Sequence, residues 1–200
     1  MMRLRLYLVI LGCVYFAGCS REPTVDLPSL VPDEAAAKAV ELLDKDGDGL
    51  LGDSELQDSP GLKSVMKRLD SDGDRKVSQS ELSSHMNQWL EMQIGAVPAT
   101  FMFTLKGKPL ADATITFVPE PFLEDAISIA EGVTNASGTV FPSSSAVKRG
   151  MQVGFYRVKI SKKANGTESI PAQYNENTTI GAEVSSASPA VNSIGQQIKL

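Results

Sequence analysis

Two hydrophobic patterns divide this chain of 200 residues. Between residues 32 and 93 the apolar positions recur with helical spacing, and beyond residue 97 they alternate. Ala36, Ala39, Val40 and Leu43 share one face of a helix opened by Pro32-Asp33-Glu34, a proline followed by acids being a helix-start signal. Ser59-Pro60 forms a cap and first-turn pair, and Leu62, Val65, Met66 and Leu69 follow at i, i+3, i+4, i+7. Leu82, Met86, Trp89, Leu90 and Gln93 trace a longer helix whose stripe suits a core more than a target-binding surface. Strands are predicted over 100–105, 113–118, 139–141, 154–160, 181–184 and 194–200, with Tyr156, Val158 and Ile160 on one side of the fourth. Turn residues separate them, as in Lys106-Gly107-Lys108-Pro109 and Asn135-Ala136-Ser137-Gly138. Short strands at this density fit a β-sandwich. The fold class expected is α+β multidomain: a helical unit over 32–94, then an all-β sandwich over 97–200.

Two acidic windows interrupt the helical half. The first runs Asp44-Lys45-Asp46-Gly47-Asp48-Gly49-Leu50-Leu51-Gly52-Asp53-Ser54-Glu55, with carboxylates at positions 1, 3, 5 and 12 and glycine at 6. A hard cation such as Ca²⁺ takes six to eight oxygens, which alternate acidic side chains supply when the chain turns sharply at position 6. The second window, Asp70-Ser71-Asp72-Gly73-Asp74-Arg75-Lys76-Val77-Ser78-Gln79-Ser80-Glu81, repeats the carboxylates but places Arg75 at position 6. A side chain there costs roughly 1 kcal/mol where φ is positive. A pair of solvated acidic turns is the plainer alternative, and two windows with a correctly placed glutamate argue against it. Over 32–94 the windows resemble the EF-hand family. The resemblance implies one Ca²⁺ held by the side chains of Asp44, Asp46, Asp48 and Glu55 with the Leu50 carbonyl. A second, weaker Ca²⁺ would be held by Asp70, Asp72, Asp74 and Glu81 with the Lys76 carbonyl. It also implies a short β-bridge between Leu51 and Val77. Only 14 residues, 56 to 69, separate the windows, so the first exiting helix is expected to be about one turn. Such compactness argues against a large opening motion.

In the second half, Lys106-Gly107-Lys108-Pro109-Leu110-Ala111-Asp112-Ala113-Thr114-Ile115-Thr116-Phe117-Val118-Pro119 resembles the start of a carboxypeptidase regulatory-like domain, a prealbumin-like sandwich. The Thr134 to Gly138 turn and the Gly154-Phe155-Tyr156-Arg157-Val158 strand fall where that family has them. Ile170-Pro171-Ala172-Gln173-Tyr174-Asn175 is similar to a segment of such domains on planctomycete surface lipoproteins. The chain departs from the family at Phe101-Met102-Phe103 and in a long insertion over 119–131. These motifs are structural and imply no chemistry.

At the N-terminus, Arg3 and Arg5 precede a short apolar run from Leu6 to Phe16, too short to span a bilayer and suited to a signal peptide over 1–18. Phe16-Ala17-Gly18-Cys19 resembles the lipobox of bacterial lipoproteins, which implies lipidation of Cys19, a membrane anchor and an exported, periplasmic or cell-surface location. An ordinary signal peptide leaving a free thiol is the alternative. Residues 19–31, with Pro23 and Pro28, read as a tether. The full chain carries a net charge of −5; without Arg3 and Arg5 it has 17 basic and 24 acidic residues. That balance excludes nucleic acid as a natural partner.

No catalytic constellation stands out, and no enzyme activity is expected. His85 is the single histidine and reads as a surface helix residue, which leaves no zinc set and no nucleophile triad of the usual kind. The expected function is calcium binding by a lipid-anchored exported protein with a structural or interaction role. Calcium-dependent adhesion or assembly with a protein partner, calcium sensing, and a glycan- or peptide-binding sandwich remain as alternatives. Exposure of Phe101, Phe117, Phe122 or Tyr156 on one face would favour the last.

Overall fold

The computed structural model describes residues 29–191 and 195–200. The signal peptide, Cys19 and most of the tether lie outside the described residues. At the tether's end, Leu30 is buried and packs in the core just before the first helix.

The described chain is mostly β, with its four helices in the N-terminal part. Helix α1 (Pro32–Leu43) begins on the expected proline with Asp33 and Glu34 in its first turn, and buries Ala35, Ala36, Ala39 and Leu43. These small residues let α1 lie close against α4 (Gln79–Glu91), which buries Leu82, Ser83, Met86 and Trp89. A capping box starts α4: Ser78 Oγ accepts from the Glu81 N–H, and Glu81 accepts from the Ser78 N–H. The helix ends two residues short of its apolar stripe, and Gln93 turns to φ 52°.

Between the acidic windows the predicted single helix is two pieces, α2 (Pro60–Lys63) and α3 (Met66–Leu69), preceded by a 3₁₀ turn at Leu56–Asp58. The break serves packing in two directions, because α2 meets the sheet below it while α3 meets α4. Ser59 precedes α2 but makes no side-chain cap bond. Strands β1 (Leu50–Leu51) and β2 (Val77–Ser78) pair antiparallel with Leu51 opposite Val77.

The β half opens with β3 (Ala96–Val97), β4 (Phe101–Leu105), β5 (Lys108–Pro109) and β6 (Thr114–Pro119). It continues through β7 (Ala130–Val133), β8 (Thr139–Val140), β9 (Ser143–Ser144) and β10 (Met151–Gln152). The long β11 (Gly154–Ser161), a small hairpin of β12 (Lys163–Ala164) and β13 (Thr167–Glu168), β14 (Gly181–Val184) and β15 (Gln196–Lys199) complete it. Five strands form one sheet in the order β14-β11-β6-β7-β9, and β15-β4-β5 form another, with β8 also on β4. The β15–β4 pair is parallel and the other pairs are antiparallel. The sheets meet through Phe101 of β4 and Phe117 of β6, whose rings lie 4.5 Å apart. Phe101, Phe117, Phe122 and Tyr156 are all buried, so these four form no exposed aromatic strip.

The helical layer covers part of the other face of the five-stranded sheet. Strand β11 sends Tyr156, Val158 and Ile160 into the space between the sheets, as its alternation predicts, and Phe155 to the opposite side. There Phe155 lies 4.7 Å from Trp89 and stacks on His85 at 5.9 Å. Helical unit and sheets therefore share one contiguous core. The insertion over 119–131 has a structural use: its 3₁₀ turn Pro121–Leu123 packs on α1, Phe122 and Leu123 are buried, and Lys38 reaches Asp125 at 3.0 Å.

Candidate metal centres

Each acidic window folds back on its own backbone, and the two do so in the same way. At position 1, Asp44 accepts from the N–H groups of Gly47 (2.7 Å) and Gly49 (2.9 Å). Asp70 likewise accepts from Gly73 (2.7 Å) and Arg75 (3.0 Å). Asp46 takes the Asp48 N–H and Asp72 the Asp74 N–H, both at 3.1 Å. Asp48 takes the Leu50 N–H at 2.8 Å and Asp74 the Lys76 N–H at 2.7 Å. The two glutamates match as well. Glu55 accepts from Lys45 (2.8 Å) and Gly52 (2.7 Å), and Glu81 accepts from Ser71 and Ser78, both at 2.8 Å.

This folding depends on left-handed backbone at two positions of each loop. Gly47 and Gly49 have φ of 77° and 80°, and Gly73 and Arg75 have 82° and 68°. Arg75 thus adopts the conformation that position 6 demands despite its Cβ, at a cost of about 1 kcal/mol.

The result gathers one carboxylate oxygen from each of Asp44, Asp46 and Asp48 within 4.8 Å of one another, and does the same for Asp70, Asp72 and Asp74. Glu55 and Glu81 are not part of those two groups; each folds back across its loop, one oxygen on the N–H of position 2 (Lys45, Ser71) and the other on that of position 9 (Gly52, Ser78). Leu50 and Lys76, the expected carbonyl donors, stand at equivalent positions, Leu50 in β1 and Lys76 just before β2. A donor set made only of anionic oxygens fits a hard divalent cation and suits poorly a metal that seeks nitrogen or sulfur.

Charge is distributed unevenly between the loops. The Lys76 ammonium of the second loop is paired with Asp48 Oδ2 of the first. That hydrogen bond, with the Leu50 N–H, holds the Asp48 carboxyl below its usual range, and Asp48 raises Lys76 in return. Burial works against ionisation of Glu81, but the hydrogen bonds from Ser78 and Ser71 outweigh it and bring the carboxyl to about 2.

Below the loops two buried glutamates hold the helices on the sheet. Glu183 of β14 is 2% exposed. It accepts from His85 Nε2 at 3.0 Å and Trp89 Nε1 at 3.2 Å, and pairs with Arg68. Glu120 is fully buried and accepts from the Gly61 N–H at 2.7 Å and Arg157 Nε at 2.8 Å, while Arg157 Nη2 donates to the Asp58 carbonyl at 2.7 Å. His85 is therefore not the surface residue expected: its side chain is 13% exposed, between Glu183 and Phe155. Phe155 was the one available signal, an aromatic on the polar side of an alternating strand. Nothing local marked Glu120 or Glu183. A cleft of about 700 Å³ opens along this seam, with Asp58, Glu124, Lys159 and Glu176 in its walls.

No protein-family model matches the chain, and a search of curated proteins returns no significant relative.

Proposed function

We propose that this chain is a calcium-binding protein of the EF-hand type, exported and lipid-anchored through Cys19, in which calcium stiffens a helical layer seated on a carboxypeptidase regulatory-like β-sandwich. One observation carries the reading. Two loops with different sequences make the same hydrogen bonds, position for position, and each brings three aspartate oxygens within 4.8 Å. Side chains of Asp44, Asp46, Asp48 and Glu55 with the Leu50 carbonyl would hold one Ca²⁺. Asp70, Asp72, Asp74 and Glu81 with the Lys76 carbonyl would hold the other. Bound calcium supplies four positive charges against eight carboxylates and a fixed centre for each loop; no reaction is proposed for it. Anchoring and export rest on the Phe16-Ala17-Gly18-Cys19 sequence alone.

The role is structural. The first exit is a single 3₁₀ turn, α2 and α3 are four residues each, and the apolar face of α4 is committed to the core. Little surface is left for a sensor to expose. Outside the cytosol affinities of about 10⁻⁴ to 10⁻³ M suffice for such a role. A second reading, assembly with a protein partner, is favoured by Ile129, Val133 and Phe141, which stand exposed around the β7–β9 edge.

A calorimetric calcium titration of the metal-stripped chain tests the proposal. Two sites are expected, the first lost in Asp44→Ala and the second in Asp70→Ala. The absence of both binding heat and any change in melting temperature at millimolar calcium would overturn it.

A further inference from the structure

The two loops differ in what sits on their position-5 carboxylates. Asp48 and Asp74 each give one oxygen to a backbone N–H, from Leu50 and Lys76 respectively. The second oxygen of Asp48 carries the Lys76 ammonium, whereas among the described residues no ion pair is made to Asp74. Lys76 reaches across because its backbone sits beside the β1–β2 pair, which fixes the second loop against the first. Lys76 is about one-third exposed, so its charge is partly screened and its side chain can leave without breaking the core.

We propose that Lys76 is a tethered internal cation that competes with calcium for Asp48 and so sets the affinity of the first loop. This rests on the calcium reading above. A divalent ion entering the first loop meets a positive charge already held by one of its carboxylates, and either displaces it or binds against its repulsion. The second loop carries no such competitor, only the backbone cost at Arg75. Lys76 thereby narrows or reverses the affinity order that the position-6 residues alone predict. It also makes the first site depend on a residue of the second.

The test is a calcium chloride titration by calorimetry in chains that retain one loop. In the Asp70→Ala background, which keeps the first loop, Lys76→Met is expected to tighten binding by about three- to tenfold at low salt. The gain should shrink as salt rises. Lys76→Arg, which keeps the charge, should stay within about twofold of the parent. Lys76→Gln repeats the measurement if the methionine variant melts early without metal. Calcium binding to the first loop that is unchanged or weakened in both neutral variants overturns the inference and leaves the calcium reading standing. A lack of calcium heat in parent and variants alike overturns both.

Discussion

The seam between helices and sheet has two ends, each built on a buried glutamate, and the two glutamates are pushed in opposite directions. Glu183 lies beneath the second loop, between Arg68 before it and His85 and Trp89 after it. Burial raises its pKa, but His85 and Arg68 more than compensate, and the carboxyl is lowered overall. Glu120 lies beneath the first loop's exit with Arg157 and one backbone N–H for company, and there burial prevails and the carboxyl is raised. A buried carboxylate ionises readily when enough donors converge on it, and one ion pair at the edge of a core falls short of that. The second loop is thus seated on a charged clamp and the first on one that resists charge.

The largest test of this contrast removes both ends together. Gly181 of β14 passes so close to α2 that a Cβ would lie 1.9 Å from the Pro60 carbonyl oxygen and 2.3 Å from the Gly61 nitrogen. Gly181→Ala must lift the helices from the sheet, and a loss of about 3 kcal/mol is expected in denaturant unfolding of the metal-free chain. Fluorescence of Trp89 should shift to the red as it leaves Phe155.

Next in size is Glu183→Gln, expected to cost about 2 kcal/mol at neutral pH by weakening three hydrogen bonds, one of them an ion pair. The wild-type contribution from Glu183 is complete above about pH 4.5, its ordinary value, and is lost as pH falls through the lower native value. Acid unfolding curves of the variant should therefore be shallower below pH 4.5. An unchanged acid limb would mean that Glu183 is not the clamp.

Glu120→Gln should cost less, about 1 kcal/mol, because Arg157 keeps its bond to the Asp58 carbonyl and is partly solvated. Its pH dependence has the opposite sign. Glu120 favours the fold most below about pH 4.5, and that contribution fades as pH rises through its raised native value. The variant should compare best with wild type at neutral pH and worst in acid. Equal costs for the two glutamine variants at every pH would erase the contrast. The smallest effect is expected for Phe141→Ser, outside the seam and 68% exposed, at within about 0.5 kcal/mol.

Much of this arrangement was legible in the residues, for a shared reason. Carboxylates at alternate positions, a glutamate at position 12 and the apolar stripes act over two to eleven residues, and local spacing is enough to read them, whereas the cap expected at Ser59 makes no bond and the working cap is Ser78. The loops, α1, α4 and the alternation in β11 follow directly. The helix predicted over 60–69 broke because α2 and α3 answer to different partners, a conflict invisible in a stripe that suits either. The insertion over 119–131 looked like a departure from a family pattern and is the seat of α1.

Local spacing in the sequence marked where clustered carboxylates could hold a metal ion, which faces are apolar and where the chain turns, since each depends on neighbours a few bonds away. Tertiary structure alone decided that His85 is a clamp rather than a surface residue, that Phe155 is covered, and that Lys76 sits on Asp48. It also placed Glu120 and Glu183 under the helices. Those contacts join residues 59 apart for Gly61 and Glu120, 98 for His85 and Glu183, and 115 for Arg68 and Glu183. At such separations no local periodicity links the partners, and only the packing of one layer on another selects them.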